Sequence, residues 1–378
     1  MKIAHIVTLV SPDGAFGGPV RVATNLAREM ADAGHDVTIL GSYRGYDAAP
    51  TEIDGVPARF FRAYRALPGL GFSGLIAPGL MTHLVKSIAE YDVVHVHVAR
   101  DLITLPSAVI AKWRGVPYAL QTHGMIDSSQ RRLANVLDAL ATRAALKAAA
   151  AVFYLTEREH DDLIHVARTP ALRLSHLANG VPESDLQADV TSGDEVLFLA
   201  RLHVRKRPLA FVTAAVELRK KFPNTKFTLV GPDEGEANET LAFIKSANAG
   251  ETVSWQGPLE PQHTLKRMSG ASIYVLPSVD EPFPMAVLEA MSIGLPCVVT
   301  DTCGLIPRLR DPNAVAVVDE STDALVAELA RLLSDTNARA SLGSRARREV
   351  ESYFSIDQVA ATALNAYYEF TRPSHVGD

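Results

Sequence analysis

The stretch SIYVLPSVDEPFPMAVLEAMSIGLPCVVT, from Ser272 to Thr300, decides the fold of this chain. Its two ends, Ser272–Leu276 and Cys297–Thr300, are short and almost wholly apolar, which is typical of strands buried on both faces. Between them, Pro284 suits the entry of a helix, and Gly294 suits the left-handed residue that ends one. The order strand, helix, strand predicts one unit of a parallel sheet that helices cover.

The same alternation extends from this unit in both directions. In the second half of the chain, the predicted strands are Val196–Ala200, Lys226–Val230, Ser272–Leu276, Cys297–Thr300 and Val315–Val318. In the first half, they are Lys2–Leu9, Val37–Leu40, Asp92–Val98, Tyr118–Thr122 and Val152–Leu155. Two such series predict an α/β protein with two doubly wound, Rossmann-like domains. Ligands bind these folds at the carboxyl ends of strands, so we expect an active site in a cleft where the two sheets face one another.

The predicted domain boundary lies at the turn-forming stretch Asn179–Pro182. We assign residues 1–182 to an N-terminal domain and residues 183–355 to a C-terminal domain, since single cores rarely exceed about 250–300 residues. The last segment, 356–372, has the pattern of a helix, which either crosses back to the N-terminal domain or covers the second sheet. Its apolar stripe consists of Val359, Ala363, Leu364 and Tyr367.

The composition excludes several classes of protein. Of the 378 residues, 47% are hydrophobic and 21% are charged, which excludes a disordered chain. The only two cysteines, Cys297 and Cys303, are too few for a disulfide framework or a zinc site. The net charge of −6 argues against nucleic acid as a partner, which would need a dominant basic face. Without a signal-peptide pattern at its start, the chain is expected to be cytoplasmic.

The predicted helix between the two strands of the opening stretch is associated with two carboxylates. Met285–Met291 is apolar on all sides except for Glu289, so we expect a buried helix whose carboxylate needs hydrogen-bond donors such as sugar hydroxyls. Glu281 stands before the helix, where an acidic residue is commonly a capping or dipole partner.

A basic pair follows the first predicted strand of the second series. Arg201 and Lys206 come directly after Val196–Ala200. A guanidinium and an ammonium group at the exit of a strand suit a diphosphate, although the same pair would fit an ordinary solvated loop.

Glycines follow the first predicted strand of the chain. Gly17 and Gly18 precede Pro19 and an amphipathic helix that Gly34 ends. Their backbone N–H groups could bind an anion at the start of the helix, or the segment could be a plain turn. The spacing is not that of the dinucleotide-binding fingerprint.

Three histidines accompany the central strands of the first series. His123 follows the strand Tyr118–Thr122 and is by itself well explained as a core histidine. His95 and His97 share one face of a strand, and we expect them to be half-buried without a functional role.

Together these residues resemble a known family. Glu281 and Glu289 enclose seven residues in the pattern P-S-x-x-E-P-F-x-x-x-x-L-E-A-M-x-x-G-x-P. This pattern is similar to the E-x7-E signature of retaining GT-B glycosyltransferases of the family 4 type, the glycosyl transferases of group 1. The family's other motifs stand in the same order along nearly the whole chain, at Gly17-Gly18, Thr122-His123-Gly124, Asn179-Gly180-Val181, Arg201 with Lys206, Gly231 and Gly257.

The resemblance implies a fold, an activity and a set of site residues. The fold would be GT-B, and the activity would be transfer of a sugar from a nucleoside diphosphate sugar to a hydroxyl acceptor, with retention. Arg201 and Lys206 would neutralise the leaving diphosphate. Glu281 would bind the transferred sugar and Glu289 the ribose, with His123 near the anomeric centre. The remaining donor-binding residues would be Gly17, Gly18, Gly231, Phe283, Pro284 and Met285. No D-x-D motif is present, so neither a metal ion nor another cofactor is expected.

The chain departs from the family pattern at two places. After Cys297–Thr300 the family usually has Gly-Gly-x-x-Glu, whereas this chain has Cys303-Gly304-Leu305, so no acidic contact is carried over. The family's usual Lys-Gly is Lys206-Arg207 here, which leaves Arg207 without a role.

The acceptor is expected to be a sugar or a lipid-linked hydroxyl compound used in surface polysaccharide or glycolipid assembly. A basic helix predicts peripheral contact with an anionic inner membrane face, although the more ordinary alternative is that its apolar stripe packs on its own sheet. The basic residues are Arg131, Arg132, Arg143 and Lys147, and the stripe is Leu133, Val136, Leu137 and Leu140.

Two other classes of function remain open from the sequence. A nucleotide-sugar epimerase or a disaccharide phosphorylase would use the same two-domain architecture, but an epimerase needs no acceptor and a phosphorylase consumes inorganic phosphate. A nucleotide-sugar-binding protein without activity would leave Glu289 and His123 unused.

Overall fold

The computed structural model describes residues 1–12, 17–67, 69, 71–129, 132–191 and 195–371. The chain divides into two compact units. Unit 1 holds Met1–Gly180 and the segment that begins at Ile356, and unit 2 holds Val181–Ser355. The division falls inside the predicted turn Asn179–Pro182.

Unit 1 contains ten strands and seven helices among its described residues. The strands are β1 (Lys2–Val10), β2 (Asp36–Tyr43), β3 (Glu52–Ile53), β4 (Val56–Arg62), β5 (Tyr64–Arg65), β6 (Leu75–Ile76), β7 (Val93–His97), β8 (Tyr118–Gln121), β9 (Ala151–Tyr154) and β10 (Leu174–His176). The helices are α1 (Gly17–Asp32), α2 (Pro78–Ser87), α3 (Thr104–Trp113), α4 (Arg132–Leu137), α5 (Arg143–Ala148), α6 (Glu157–Ala167) and, at the end of the chain, α13 (Ile356–Thr371). A π-helical turn, Asp138–Thr142, joins α4 to α5.

Unit 2 contains six strands and six helices in the part that the structure describes. The strands are β11 (Glu195–Leu199), β12 (Lys226–Val230), β13 (Val253–Trp255), β14 (Ile273–Leu276), β15 (Cys297–Thr300) and β16 (Ala316–Val318). The helices are α7 (Pro208–Leu218), α8 (Ala237–Ser246), α9 (Thr264–Ser269), α10 (Met285–Ser292), α11 (Thr322–Ser334) and α12 (Thr336–Tyr353).

Both main sheets are doubly wound. The sheet of unit 1 has the order β10-β9-β8-β7-β1-β2-β4-β3, with all neighbours parallel except β3 and β4. The sheet of unit 2 has the order β13-β12-β11-β14-β15-β16 and is parallel throughout. The winding reverses between β1 and β7 in unit 1 and between β11 and β14 in unit 2, and ligands bind such folds at the carboxyl ends of the strands beside these reversals.

The apolar patterns place the strands correctly. All ten predicted strands are present, with ends that differ by at most three residues, and their side chains form the two cores. The strands that the sequence did not predict lie mainly at sheet edges, as β3, β10 and β13 do, where few apolar side chains mark them. The strand β4, which carries Arg59 and Arg62, lies inside the sheet and was also not predicted.

The terminal helix α13 packs on unit 1 through its predicted stripe. Val359, Ala363, Leu364 and Tyr367 are buried, and the hydroxyl of Tyr367 lies 2.5 Å from Nδ1 of His95. Within the described ranges, no helix combines the length and the apolar character that crossing a bilayer requires.

Candidate active site

Two loops at the carboxyl ends of β11 and β14 bring a cation and a carboxylate together. Nζ of Lys206 lies 2.5 Å from Oε2 of Glu281, and the two side chains are only 13% and 14% exposed. Both loops stand where the winding of the unit 2 sheet reverses. The structure therefore joins two of the predicted site residues, at the edge of the sheet where a ligand is expected.

The loop after β11 and the loop after β14 are also tied through their backbones. The N–H of Val279 donates to the carbonyl of Arg205 at 2.9 Å, and the guanidinium of Arg205 donates to the carbonyl of Asp280. Asp280 has a left-handed φ of 49°, a sparsely populated conformation for a residue other than glycine. These contacts fix the position from which the Glu281 side chain extends.

Arg207, to which the sequence analysis assigned no role, stabilises the same region through hydrogen bonds. Its guanidinium donates to the carbonyls of Pro277 and Glu320, at 3.4 and 2.6 Å, and its φ is 55°. The family's glycine at this position would reach a left-handed φ without strain, so the arginine accepts strain and gains two hydrogen bonds.

Arg201 has a different partner from Lys206. Its guanidinium lies 2.7 Å from both carboxylate oxygens of Glu234, and its side chain is exposed. Glu234 follows β12, and its N–H donates to the carbonyl of Leu202. The sequence alone does not point to Glu234, because the pair joins segments more than thirty residues apart.

The helix α10 carries the second carboxylate of the E-x7-E pattern. It begins at Met285 after Pro284 and is followed by Gly294 with a φ of 72°, as predicted. Glu289 is buried among apolar neighbours on this helix. Burial raises the pKa of the Tyr274 hydroxyl on the adjacent strand, and the neighbouring acidic groups of Cys297, Glu289 and Glu281 raise it further.

Two glycines let backbone segments approach closely around these loops. A Cβ on Gly231, whose φ is 144°, would lie 2.0 Å from the carbonyl oxygen of Ala200. A Cβ on Gly304 would lie 2.1 Å from the carbonyl oxygen of Pro282, and the Gly304 N–H donates to the Glu281 carbonyl at 2.8 Å. The Cys303-Gly304 departure from the family pattern thus supports the Glu281 backbone.

Phe283 completes the apolar surroundings of this loop. Its side chain is buried, and its ring centroid lies 6.2 Å from that of Phe354.

In unit 1, His123 stands in a strained turn after β8. His123 and Gly124 have φ values of 50° and 71°. The buried carboxylate of Glu159 accepts from the N–H of Gly124 at 2.6 Å, from the Thr122 hydroxyl, and from the N–H of Leu155 at 2.6 Å. Glu159 therefore fixes the turn that presents His123.

A sequence signal could have located Glu159. It stands three residues after Thr156, the N-cap of α6, whose hydroxyl accepts from the Glu159 N–H. This T-x-x-E spacing is that of a capping box, in which the glutamate normally bonds back to the N-cap. Here the Glu159 carboxylate instead accepts from the N–H of Leu155, one residue before the N-cap, and from the N–H of Gly124 in the turn that holds His123.

The expectation that His95 and His97 are half-buried is wrong. Both side chains are completely enclosed, because β7 is a central strand of the sheet and α13 covers it. Nδ1 of His97 lies 2.9 Å from Nε2 of His123, so a predicted site residue is hydrogen-bonded to a buried partner.

The glycine loop of unit 1 is described only in part. Gly17 is the first residue of α1, and a Cβ on Gly18 would meet nothing within 4 Å. No packing within the described residues therefore requires glycine at position 18.

A cavity of about 440 Å³ opens in unit 1 beside the end of β1. Arg44 and Arg65 line this cavity together with mainly apolar residues. The lining residues are Leu9, Ser11, Pro12, Arg44, Gly45, Arg65, Gly71, Phe72 and Leu75.

The basic helix divides into exposed and packed parts. Val136 and Leu140 are 51% and 76% exposed, whereas Leu137 packs against the core. Nε of Arg143 donates to the carbonyl of Val166, so this arginine supports the fold. Arg131 and the side chains of Arg132 and Leu133 lie outside the described residues.

Comparisons with known families agree with the resemblance seen in the motifs. Residues 188–349 match the family described as glycosyl transferases group 1, and residues 17–180 match the glycosyl transferase 4-like domain. The two matches fall on the two units of the structure.

Two curated relatives are similar along almost their whole length. An uncharacterized glycosyltransferase of Methanocaldococcus jannaschii is 24% identical over 97% of this chain and 98% of its own. A D-inositol 3-phosphate glycosyltransferase of Jonesia denitrificans is 26% identical over 98% of this chain and 96% of its own.

Two solved structures share the fold. Sucrose-phosphate synthase from Thermosynechococcus elongatus has a TM-score of 0.76 and 18% identity, over 98% of this chain and 99% of its own. HepE from Anabaena, in complex with UDP and glucose, has a TM-score of 0.77 and 16% identity, over 98% of this chain and 100% of its own. The matched families, the similar proteins and the shared fold lead to one conclusion: the chain belongs to the glycosyl transferases of group 1, and its fold is of the GT-B kind.

Proposed function

We propose that this protein is a retaining glycosyltransferase that moves a sugar from a nucleoside diphosphate sugar to a hydroxyl group, without a metal ion or other cofactor. The observation that carries the proposal is the cluster at the ends of β11 and β14, where Lys206 contacts Glu281 and Arg201 stands nearby in the chain. A nucleotide sugar presents phosphates and hydroxyl groups together. This cluster offers cations for the former and carboxylates for the latter.

The cations have the main catalytic role in this proposal. As the bond between the anomeric carbon and the diphosphate oxygen breaks, negative charge grows on the leaving group. Arg201 and Lys206 stabilise that charge as it develops, which lowers the barrier because the stabilisation is greatest in the transition state. The acceptor hydroxyl forms the new bond on the same face of the sugar, which defines retention, and its proton passes to an oxygen of the departing diphosphate on that face.

The ion pair of Lys206 and Glu281 prepares both side chains for the donor. When no donor is bound, Lys206 and Glu281 neutralise each other, which allows both charges to be largely buried. When a diphosphate binds Lys206, the Glu281 carboxylate becomes available to a hydroxyl of the transferred sugar.

The remaining site residues have separate parts in the proposal. Glu289 accepts hydrogen bonds from the ribose, and His123 lies near the transferred sugar. Gly17, Gly18, Gly231, Phe283, Pro284 and Met285 complete the donor site through their backbones and apolar surfaces.

The acceptor binds unit 1 in this proposal, and the cavity beside β1 is its candidate site. Arg44 and Arg65 would contact a polar or anionic part of the acceptor, with Phe72 and Leu75 under its apolar part. A sugar or a lipid-linked hydroxyl compound from surface polysaccharide or glycolipid assembly fits this mixture. Replacing both arginines by glutamine should raise KM for the acceptor and leave KM for the donor unchanged.

Transfer and donor binding can be tested together. A thermal-shift screen of nucleoside diphosphate sugars starts with UDP-glucose, because HepE has been solved with it. A donor at one hundred times its Kd should stabilise the chain by about 2.7 kcal/mol. With the donor found, the product of transfer to sugar and lipid-linked acceptors is examined for its anomeric configuration, which should match that of the donor.

Three results would contradict the proposal. Conversion of the donor without an acceptor would indicate an epimerase, and a requirement for inorganic phosphate would indicate a phosphorylase. Donor binding without turnover, with every acceptor class tried, would indicate a binding protein. Loss of activity in EDTA with recovery in magnesium or manganese would overturn the metal-free part alone.

Membrane contact is a separate part of the proposal. Val136 and Leu140 are exposed on the basic helix, with Lys147 exposed further along it. Cations near anionic lipid gain about 1 kcal/mol each, which supports reversible docking. Flotation with anionic but not neutral liposomes, weakened by salt and by Leu140→Gln, is the expected result, and equal flotation with both lipids would contradict it.

A further inference from the structure

Four imidazole rings form a stack in the centre of unit 1. His5 on β1 pairs in register with His95 on β7, and His97 follows two residues later on the same face of that strand. His123 comes from the turn after β8, which neighbours β7. Adjacent ring centroids are 4.5 to 5.4 Å apart. The parallel sheet thus places four histidines side by side that are far apart in sequence.

Three of these rings form a continuous hydrogen-bonded chain. Nε2 of His123 lies 2.9 Å from Nδ1 of His97, and Nε2 of His97 lies 3.1 Å from Nδ1 of His5. This hydrogen-bonded row of rings ends at Nε2 of His5, which is buried and has no hydrogen-bond partner among the described residues.

The three hydrogen-bonded rings are neutral near pH 7. Burial lowers the pKa of His5 and of His123 to about 3, and it lowers the pKa of His97 well below its usual value, with the neighbouring histidines adding to the effect. A neutral imidazole carries one N–H and one bare nitrogen. Each hydrogen bond in the chain therefore has a direction, and the directions must agree.

Two arrangements of the protons satisfy both hydrogen bonds. In the first, His5 donates from Nδ1 to His97, which donates from Nδ1 to Nε2 of His123. In the second, every donor and acceptor is reversed, and His5 carries its proton on Nε2. The two arrangements differ at Nε2 of His5, where the hydrogen-bonded row of rings ends. The second arrangement buries an N–H without an acceptor among the described residues, whereas the first buries only a bare nitrogen. Among backbone groups a buried N–H without a partner is rarer than a carbonyl without one, and by analogy we take the first arrangement.

The same nitrogen atoms could be considered as metal ligands. One ligand atom from each of His5, His95 and His97 lies within 4.8 Å of the others. However, the rings of His95 and His97 are stacked 4.5 Å apart with only 11° between their planes. Imidazole lone pairs lie in the ring plane, so these two rings direct them side by side and not toward one ion.

We propose that His5 and His97 are positioning residues that hold His123 as the neutral tautomer with its proton on Nδ1. This inference rests on the proposed role of His123 beside the transferred sugar. In this state, Nδ1 of His123 donates a hydrogen bond to an oxygen of the substrate. The same nitrogen has no lone pair with which to accept a proton, so His123 acts as a donor toward the substrate and not as a general base.

The tautomer can be observed directly, without a substrate. Long-range correlation spectra between ¹⁵N and ring ¹H nuclei distinguish the two neutral tautomers in the full-length chain, with His123→Gln used for assignment. We expect a protonated Nδ1 and a bare Nε2 at His123 near neutral pH. A protonated Nε2, a doubly protonated ring, or one tightly held transition-metal ion per chain would each overturn the inference.

A matched pair of substitutions tests the positioning by His97. Asparagine can place an N–H where Nδ1 of histidine stands, whereas phenylalanine keeps the stacked ring and removes the donor. We expect His97→Asn to retain the Nδ1 proton on His123 and His97→Phe to give a mixture of tautomers. His95→Phe removes an imidazole that stacks on the chain without donating to it, and it should leave the tautomer unchanged.

Kinetics then separate positioning from stability. With the donor identified, His97→Phe should lower kcat/KM about tenfold, the equivalent of one hydrogen bond, and His97→Asn should stay within about threefold. Thermal unfolding of both variants shows whether the fold is intact. Equal losses in the two variants at equal stability would contradict the positioning role, while an inactive wild-type chain with the expected tautomer would contradict only the proposed function.

Discussion

Lys206 and Glu281 form an ion pair, and their side chains are largely shielded from water. Removing one member of such a pair leaves a charge in a poorly solvated place, which costs more than the pair itself contributes. We expect Lys206→Met to lower the free energy of unfolding of unit 2 by about 3 kcal/mol. Adding Glu281→Gln should recover most of that loss.

Urea unfolding followed by fluorescence tests this expectation in unit 2 alone. The two tryptophans are Trp113 in unit 1, which is exposed, and Trp255 in unit 2. A Trp113→Phe background therefore reports on unit 2. As a control, Arg331→Met breaks the exposed pair with Glu328 and should cost less than about 1 kcal/mol. An equal loss for both pairs would mean that burial of the Lys206 pair is unimportant.

Gly231 is a position where both space and backbone conformation exclude a side chain. Its substitution by alanine would place a Cβ 2.0 Å from the Ala200 carbonyl oxygen, at a φ of 144°. Gly235 has a φ of 113° but nothing within 4 Å of its would-be Cβ. We expect Gly235→Ala to cost about 1–3 kcal/mol from backbone strain, and Gly231→Ala to cost clearly more and to displace Arg201. The same unfolding assay measures both, and equal costs would show that the close approach to Ala200 relaxes freely.

At the scale of the elements, the central strands of unit 1 carry a pH dependence. His5 and His123 have a pKa of about 3 in the folded chain, whereas a histidine in the unfolded chain has a pKa of about 6.5. Below about pH 6.5 the unfolded chain binds more protons, so stability falls as the pH drops from there toward 3. Each such histidine contributes a slope of up to about 1.4 kcal/mol per pH unit, and full stability is present above that window.

The stability of unit 1 against pH can be measured by circular dichroism during urea unfolding. Replacing His5 by asparagine should reduce the slope below pH 6.5 by about one histidine's share. Replacing His263, which is exposed in unit 2, should leave it unchanged. A slope that does not respond to His5→Asn would show that this ring is not the neutral, buried group described above.

The elements also show how far a sequence determines a site of this kind. The spacing of apolar residues and the local composition predict the buried strands and the α10 helix, because each of these elements is determined by residues close together in the chain. The order of motifs along the chain indicated the family. The partners of the site residues are different: Arg201 with Glu234, Lys206 with Glu281, and His123 with His97 each join two loops or strands. Such pairs depend on strand order, which no local pattern records.

At the scale of the whole molecule, unit 2 is an insertion in the chain of unit 1. A Cβ on Gly180 would lie 2.9 Å from the Cα of Ile356, so the two ends of unit 1 at the insertion are in contact. In unit 2, the N–H of Val181 donates to the carbonyl of Phe354 at 3.0 Å. The chain therefore leaves and re-enters unit 1 at one place.

Removal of α13 should affect the two units unequally. A chain that ends at Ser355 loses the buried side chains of Val359, Ala363 and Tyr367 together with the hydrogen bond to His95. Burial of one larger apolar side chain, such as that of Val359, contributes about 1.5–3 kcal/mol, so we expect unit 1 to unfold while unit 2 keeps its structure. Trp255 fluorescence and proteolysis measure this, and an intact unit 1 in the shortened chain would contradict it.

The insertion also fixes the order in which the protein can be completed on the ribosome. Residues 181–355 emerge before Ile356–Thr371, so unit 2 has its whole sequence available while unit 1 still lacks its last helix. Domains generally fold as units when their sequence is complete. During that interval the nascent chain displays the surface that Tyr367 later covers, with the imidazole of His95 in it. Unit 1 therefore begins to be synthesised before unit 2 but becomes native after it, and a chaperone that shields nascent apolar surface could bind unit 1 during that interval.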